Sequence, residues 1–145
     1  GFFMETPLHT LLFKTFHAQR QKNRANMNAF QLSPGQPKVL RYIQSHENCK
    51  LKDIAKECDV ECATVSKMLD NLEEKGMIIR NINPQNKRAY QVNLTDKGRS
   101  ALQKWEEHCM EVEQISLQGF TPEEKEQFQN YLSRMYTNLT GKKIL

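Results

Sequence analysis

The sequence predicts a mainly α fold with a small two- to three-stranded β wing. Two short stretches on either side of Asp59-Val60 each carry apolar residues at i, i+3, i+4 and i+7, the spacing of a helix with one buried face. Gly76 closes the second stretch. Beyond it Tyr90, Val92 and Leu94 alternate with Ala89, Gln91 and Asn93, as a half-buried strand does. Helical spacing returns after Thr95-Asp96. The succession is a helix-turn-helix followed by a wing, set between further helices, and 145 residues suffice for one such core.

Leu8, Leu11, Leu12 and Phe16 recur at helical spacing, and the polar run Gln19 to Asn28 continues that first helix. Ser33-Pro34-Gly35-Gln36 opens a second helix. Ser33 suits its cap, Pro34 its first position, and Gln36 can reach back as a capping box. Val39, Leu40 and Ile43 form its buried stripe, while Pro37, late in the first turn, removes one backbone bond. Leu51, Ile54, Ala55 and Cys58 mark the third helix; Val65, Met68, Leu69 and Leu72 mark the fourth, from Glu61 to Lys75. Met77 to Ile82 is the partner strand, joined through the turn Asn83-Pro84-Gln85-Asn86. Thr95-Asp96 caps a long helix with the stripe Leu102, Trp105, Cys109 and Val112, which Gly119 interrupts. Thr121-Pro122-Glu123-Glu124 is a strong capping box for a last helix with Phe128, Tyr131, Leu132, Met135 and Leu139 on its apolar face. The predicted organisation is an N-terminal helix in 1–32, the winged helix-turn-helix in 33–95, and a long linking helix with a C-terminal helix in 96–145.

A formal net charge of +4 is mild, so the placement of the cations matters more than their sum. No apolar run approaches the roughly 20 residues that cross a bilayer, and no membrane partner is expected. Phe2, Phe3 and Met4 are followed at once by Glu5 and Pro7, which does not read as a secretory leader. With Cys49, Cys58, Cys62 and Cys109 and no export signal, the expectation is reduced thiols in the cytoplasm. No Gly-rich phosphate loop, nucleophile elbow or recognised catalytic spacing is present, so neither an enzyme nor a cofactor is expected. His46 with Cys49, and Glu107 with His108, are short pairs that fall short of a metal-ligand set.

On the fourth helix the face opposite the apolar stripe carries Ala63, Lys67, Asp70 and Glu74, flanked by Thr64, Ser66 and Asn71. Small and hydrogen-bonding residues fill its first half and acids its second, which suits a helix entering a DNA groove by its N-terminal end. An ordinary solvated face fits that periodicity as well. Lys87 and Arg88, beyond the wing turn, can reach phosphates or a minor groove. Lys50 and Lys52 flank the start of the third helix, whose free N–H groups favour phosphate. Three elements offering donors in this order are harder to explain as mere surface.

Leu51-Lys52-Asp53-Ile54-Ala55, then Ala63-Thr64-Val65-Ser66-Lys67-Met68-Leu69 through Gly76-Met77-Ile78, resembles the winged helix-turn-helix of MarR-type transcriptional regulators. Asn83 to Arg88, followed by Val92-Asn93-Leu94-Thr95-Asp96-Lys97-Gly98, is similar to that family's wing and the entry to its long helix. The resemblance implies recognition-helix roles for Ala63, Thr64, Ser66, Lys67 and Asn71, and a wing formed by Asn86, Lys87 and Arg88, with Arg88 in the minor groove. It also implies a homodimer on an inverted-repeat operator in double-stranded DNA, usually a repressor released by a small-molecule effector, whose identity no residue gives. Two positions depart from the pattern. Asn86 stands where the family usually has Asp and cannot pair ionically with Arg88. Glu61 stands where Ser often opens the recognition helix, and a conformational or capping role suits it better than base reading.

Leu8, Leu11, Leu12 and Phe16 with Phe128, Leu132, Met135 and Leu139 are the natural pieces of a dimer interface, although a helix pair within one chain fits the same pattern. Two further readings stay open. Cys62 sits in the first turn of the recognition helix, four residues after Cys58, and oxidation there would make the protein a thiol sensor. A winged helix used only to bind protein is the other, although it would not need Lys67, Lys87 and Arg88 together.

Overall fold

The computed structural model describes residues 6–144, with Arg88 described by its backbone alone. The absence of a leader, read on Phe2 to Glu5, thus falls outside the described residues. The elements are α1 (Leu8–Arg24), a 3-10 turn (Met27–Phe30), α2 (Gln36–Ser45), α3 (Leu51–Glu57), α4 (Cys62–Glu74), β1 (Ile78–Asn83), β2 (Asn86–Leu94), α5 (Asp96–Ser116) and α6 (Pro122–Thr140). They fall into two compact units, Gly1–Met110 and Glu111–Leu145, whose boundary lies within α5. Among the described residues no helix is long and apolar enough to cross a membrane.

The first unit is built on the apolar stripes that periodicity marks. Val39, Leu40 and Ile43 of α2, Ile54 and Ala55 of α3, and Val65, Leu69 and Leu72 of α4 are buried together with Met77, Ile78, Val92, Leu94, Ala101, Leu102 and Trp105. Each fully buried Val, Leu or Ile contributes about 1.5–3 kcal/mol relative to exposure. Between α3 and α4 the chain reverses through Asp59 at φ 54°, a left-handed conformation that Asp tolerates better than most residues. At the far end of α4, Gly76 at φ 78° donates to the Glu73 carbonyl (2.9 Å) and Met77 donates to the Leu72 carbonyl (2.9 Å). That pair of bonds is the Schellman arrangement, and it turns the chain straight into β1.

β1 and β2 pair antiparallel from Ile78↔Leu94 to Ile82↔Tyr90, and an isolated bridge sets Cys49 against Val92 as a short third rung. Thr95 then starts α5: its hydroxyl donates to the Gly76 carbonyl and accepts from the Gly98 N–H at 3.1 Å. Gly98 lies against the backbone of Met77, so closely that a Cβ there would overlap the Met77 carbonyl.

Two helix boundaries differ from the sequence reading. α1 ends at Arg24 instead of running to Asn28, because the chain turns to bury Met27 and Leu32, which a continued helix would leave outside the core. α2 begins at Gln36, after Gly35 at φ 87°, and no side chain caps it. Gln36 does accept the Ser33 N–H at 2.9 Å, but the reciprocal Ser33 cap is not made. The later start places Pro37 within the first two helical positions, where its missing N–H costs no helix bond.

In the second unit Thr121 and Glu124 form the reciprocal box: Glu124 N–H to the Thr121 hydroxyl at 3.1 Å, Thr121 N–H to the Glu124 carboxylate at 2.8 Å. Gly141, at φ 73°, ends α6. No residue of α6 is buried, and the same holds for α1 in the first unit. Leu8, Leu11, Leu12 and Phe16 are therefore exposed on the one, and Phe128, Tyr131, Leu132 and Leu139 on the other, with Met135 half-buried.

Replacing Gly98 with Ala forces the α5 start away from Met77. The expected loss is about 1–3 kcal/mol of stability, the usual range for overpacking, read as a lower thermal midpoint by circular dichroism. Ser100→Ala on the same helix should leave the midpoint nearly unchanged; equal midpoints for the two variants would contradict the close packing.

Candidate nucleic-acid interface

α4 buries Val65, Leu69 and Leu72, so its opposite face is fixed by the helix period. Ala63, Thr64 and Lys67 lie exposed on that face, with Ser66 half-buried at its edge. Glu61 holds the N-cap position with extended backbone, but its side chain makes no cap bond, so the capping role read for it is not performed by the carboxylate. The first N–H groups of α4 thus carry the helix's partial positive charge without a side-chain cap. Lys50 and Lys52, at the start of α3, are exposed as well.

Two of the three acids in the second half of α4 share one cation. Arg80 of β1 reaches Asp70 (Nη1 to Oδ1, 2.8 Å) and grips Glu73 through two bonds, Nη2 to Oε1 at 2.8 Å and Nε to Oε2 at 3.1 Å. Its guanidinium also lies over the Tyr90 ring, 5.3 Å from the centroid. The Arg80 hydrogen bond holds the Glu73 carboxyl below its ordinary range, and Glu73 in turn raises the guanidinium further. One cation therefore offsets part of the charge of Asp70 and Glu73 and ties the helix to the wing, while Glu74 stays exposed. Sequence reading missed Arg80, although acids at i and i+3 are the pattern that a single cation can bridge.

Asn71 is also engaged from outside α4. Its Oδ1 accepts from Gln36 Nε2 at 2.7 Å, and Lys75 Nζ donates to Gln36 Oε1 at 3.1 Å. Burial, and after it Lys97, holds the Lys75 ammonium below its ordinary value.

The wing turn is set by Asn83, whose Oδ1 accepts the Gln85 N–H at 2.9 Å. Pairing jumps from Ile82↔Tyr90 to Asn83↔Asn86, so Lys87, Arg88 and Ala89 form a bulge on β2. Lys87 is exposed there, while the Arg88 side chain lies outside the described residues.

The cysteines are all free. Cys58 is half-buried with its thiol 3.8 Å from the Lys38 carbonyl, and burial pushes that thiol up, away from the reactive thiolate. Cys49, buried, is pushed up to about 11, and Cys62 is exposed. The histidines of the two pairs serve the fold: His46 stacks on Tyr42 with centroids 4.1 Å apart, and His108 Nε2 lies 3.1 Å from the Asn23 carbonyl in the last turn of α1. Among the described residues no group of three or more His, Cys, Asp or Glu is placed to hold a metal ion.

The first unit also contains a cavity of about 410 Å³. Phe16, Arg20 and Arg24 from α1, Lys38 and Arg41 from α2, and Trp105 from α5 line it. The Oδ1 of Asn23, another lining residue, is buried with no hydrogen-bond partner.

Residues 32–90 match the model of the MarR family. The chain is 33% identical over 89 residues to the HTH-type transcriptional regulator BilQ of Clostridioides difficile, which covers 57% of this chain and 60% of that protein. The chain thus spans less than two thirds of this relative's length. The HTH-type transcriptional repressor MdtR of Bacillus subtilis is 34% identical over 67 residues, 46% of this chain and 43% of MdtR. Among solved structures, a S. aureus MepR-DNA complex superposes with TM-score 0.77 at 28% identity, covering 92% of this chain and 99% of that one. The structure of MarR itself, at 23% identity and TM-score 0.79, shares the fold and covers 96% and 95% of the two chains. The relatives are regulators, a non-enzymatic class.

Arg80→Gln should lower stability at neutral pH by about 1–2 kcal/mol, less than a buried network would give because Asp70 and Glu73 are partly screened by solvent. Because the Glu73 carboxyl titrates lower when folded, its contribution is present above the unfolded carboxylate range and is lost as pH falls through the folded value. Urea unfolding across that range should therefore show the gap between wild type and variant closing on acidification. A gap independent of pH would rule out the ion cluster as its cause.

Proposed function

We propose that the chain is a MarR-type winged helix-turn-helix protein, a DNA-binding transcriptional regulator working as a homodimer on an inverted-repeat operator. The observation that carries this reading is the exposed Ala63, Thr64 and Lys67 face of α4, held to a basic wing by Arg80. In this reading Thr64, Ser66 and Lys67 read base edges while Ala63 allows close approach to the groove. Lys87 and Arg88 of the wing, with Lys50 and Lys52 beside α3, meet phosphates, and Asn86 shapes the wing turn. Asn71, bonded to Gln36, serves to hold α4 more than to read.

The homodimer is supported by α1 and α6, each of which carries an apolar stripe and, among the described residues, has none buried. Covering such stripes by a second copy would contribute about 1.5–3 kcal/mol for each side chain fully removed from water. Two recognition helices one duplex turn apart are the arrangement that reads a palindrome. Repression, released by a small molecule, is the regulatory sense that fits best. The cavity beside Phe16 and Trp105, with Arg20, Arg24, Lys38 and Arg41 around it, suits an anionic molecule with an apolar or aromatic body. Such a ligand acts only if it binds one arrangement of the two heads more tightly than the other.

Selection of duplexes from a random pool should enrich an inverted repeat, and Thr64→Val should change the preferred bases within it. Lys87→Ala should weaken binding across all sequences and reduce the salt slope by about 1. No measurable affinity for any duplex at low salt would refute the DNA-binding function.

A further inference from the structure

Among the described residues Gln36 is the polar side chain buried in the core, only 3% exposed. It belongs to α2, yet of its three bonds one goes to Asn71 of α4 and one to Lys75, the C-cap of that helix. Oε1 accepts from the Ser33 N–H at 2.9 Å and from Lys75 Nζ at 3.1 Å, and Nε2 donates to Asn71 Oδ1 at 2.7 Å. Beside it the left-handed Gly35 packs directly on α4, with Met68 Cε 2.9 Å from where a Cβ would stand. Asn71 and Lys75 are one helical turn apart, so a single buried amide holds α4 at two points of one face.

That face continues along the helix. Thr64, Lys67, Asn71 and Lys75 follow one another at three- and four-residue spacing, so the orientation of Asn71 about the helix axis dictates that of Thr64 and Lys67. A helix with its side chains is about 10–12 Å across, and turning it by roughly 20° moves a side-chain tip by about 2 Å. Hydrogen bonds to base edges do not survive such a displacement, whereas phosphate attraction, which is long-ranged and tolerant of direction, does.

We propose that Gln36 is a positioning residue for DNA reading: through Asn71 and Lys75 it fixes the rotation of α4, and so sets discrimination between operator and other DNA. The proposal rests on the DNA-binding function above. The full chain and its Gln36→Met, Gln36→Glu and Asn71→Ala variants are titrated against the selected operator and a random duplex, with fold monitored by circular dichroism. Gln36→Met should lose at least tenfold in operator affinity while keeping random-duplex affinity and salt slope within about twofold. Gln36→Glu should recover most of the loss, because a carboxylate accepts from Ser33 and Lys75 and the Asn71 amide can turn to donate. Gln36→Met combined with Asn71→Ala should be no worse than either alone, as for two ends of one contact.

An unchanged operator-to-random ratio in Gln36→Met overturns the proposal, and so does a loss falling equally on both duplexes. If Gln36→Met does not fold, the same ratio in Asn71→Ala, at an exposed position, decides in its place. A wild-type chain without preference for any duplex refutes the DNA-binding function itself, a result distinct from an intact wild-type preference that the variants leave untouched.

Discussion

The Arg80 cluster is the constraint around which the functional half of the molecule is arranged. Carboxylates weaken the approach of a helix to an anionic polymer, and besides Glu74 the second half of α4 carries Asp70 and Glu73. Both bind one guanidinium rooted in β1, with Tyr90 beneath it. The same contact that offsets part of their negative charge also ties the helix to the wing strand. Partial charge compensation and attachment are thus one interaction, added to the apolar core that α4 and β1 already share.

What was legible in the chain was whatever is encoded locally. The Leu51 to Gly76 stretch reads correctly because periodicity, a left-handed Asp59 and a Schellman glycine are all short-range signals. The box at Thr121 and Glu124 was legible for the same reason. The end of α1 was not, because burial of Met27 and Leu32 is decided by distant partners and outweighs the tolerance of a polar run for helix. The start of α2 slipped for a related cause: Gly35 packs on Met68, more than thirty residues further along the chain.

The site was legible in its residue types and less so in its supports. Thr64 and Lys67 emerge on the exposed face that their spacing implies. Asn71 has the right type and spacing for a reader, but spacing does not reveal Gln36 waiting across from it. Cys58 stood on the apolar stripe of the third helix and Cys62 at the start of the fourth, and burial follows that division, since only the first is tucked against the α2 backbone. Long-range polar partners are the general blind spot, because no periodicity announces them.

The wing hairpin has one more property, visible in how its strands fail to match. From Ile78 to Ile82 the register against Leu94 to Tyr90 is locked by residues that reach the core, among them Ile78, Val92 and Leu94. All of the surplus length sits beyond it, in Lys87 to Ala89 opposite no residue of β1. Insertions and deletions there leave the base of the hairpin untouched. The tip can therefore differ in length while the scaffold behind it stays constant, provided the cations Lys87 and Arg88 that the proposed phosphate contacts need remain on it.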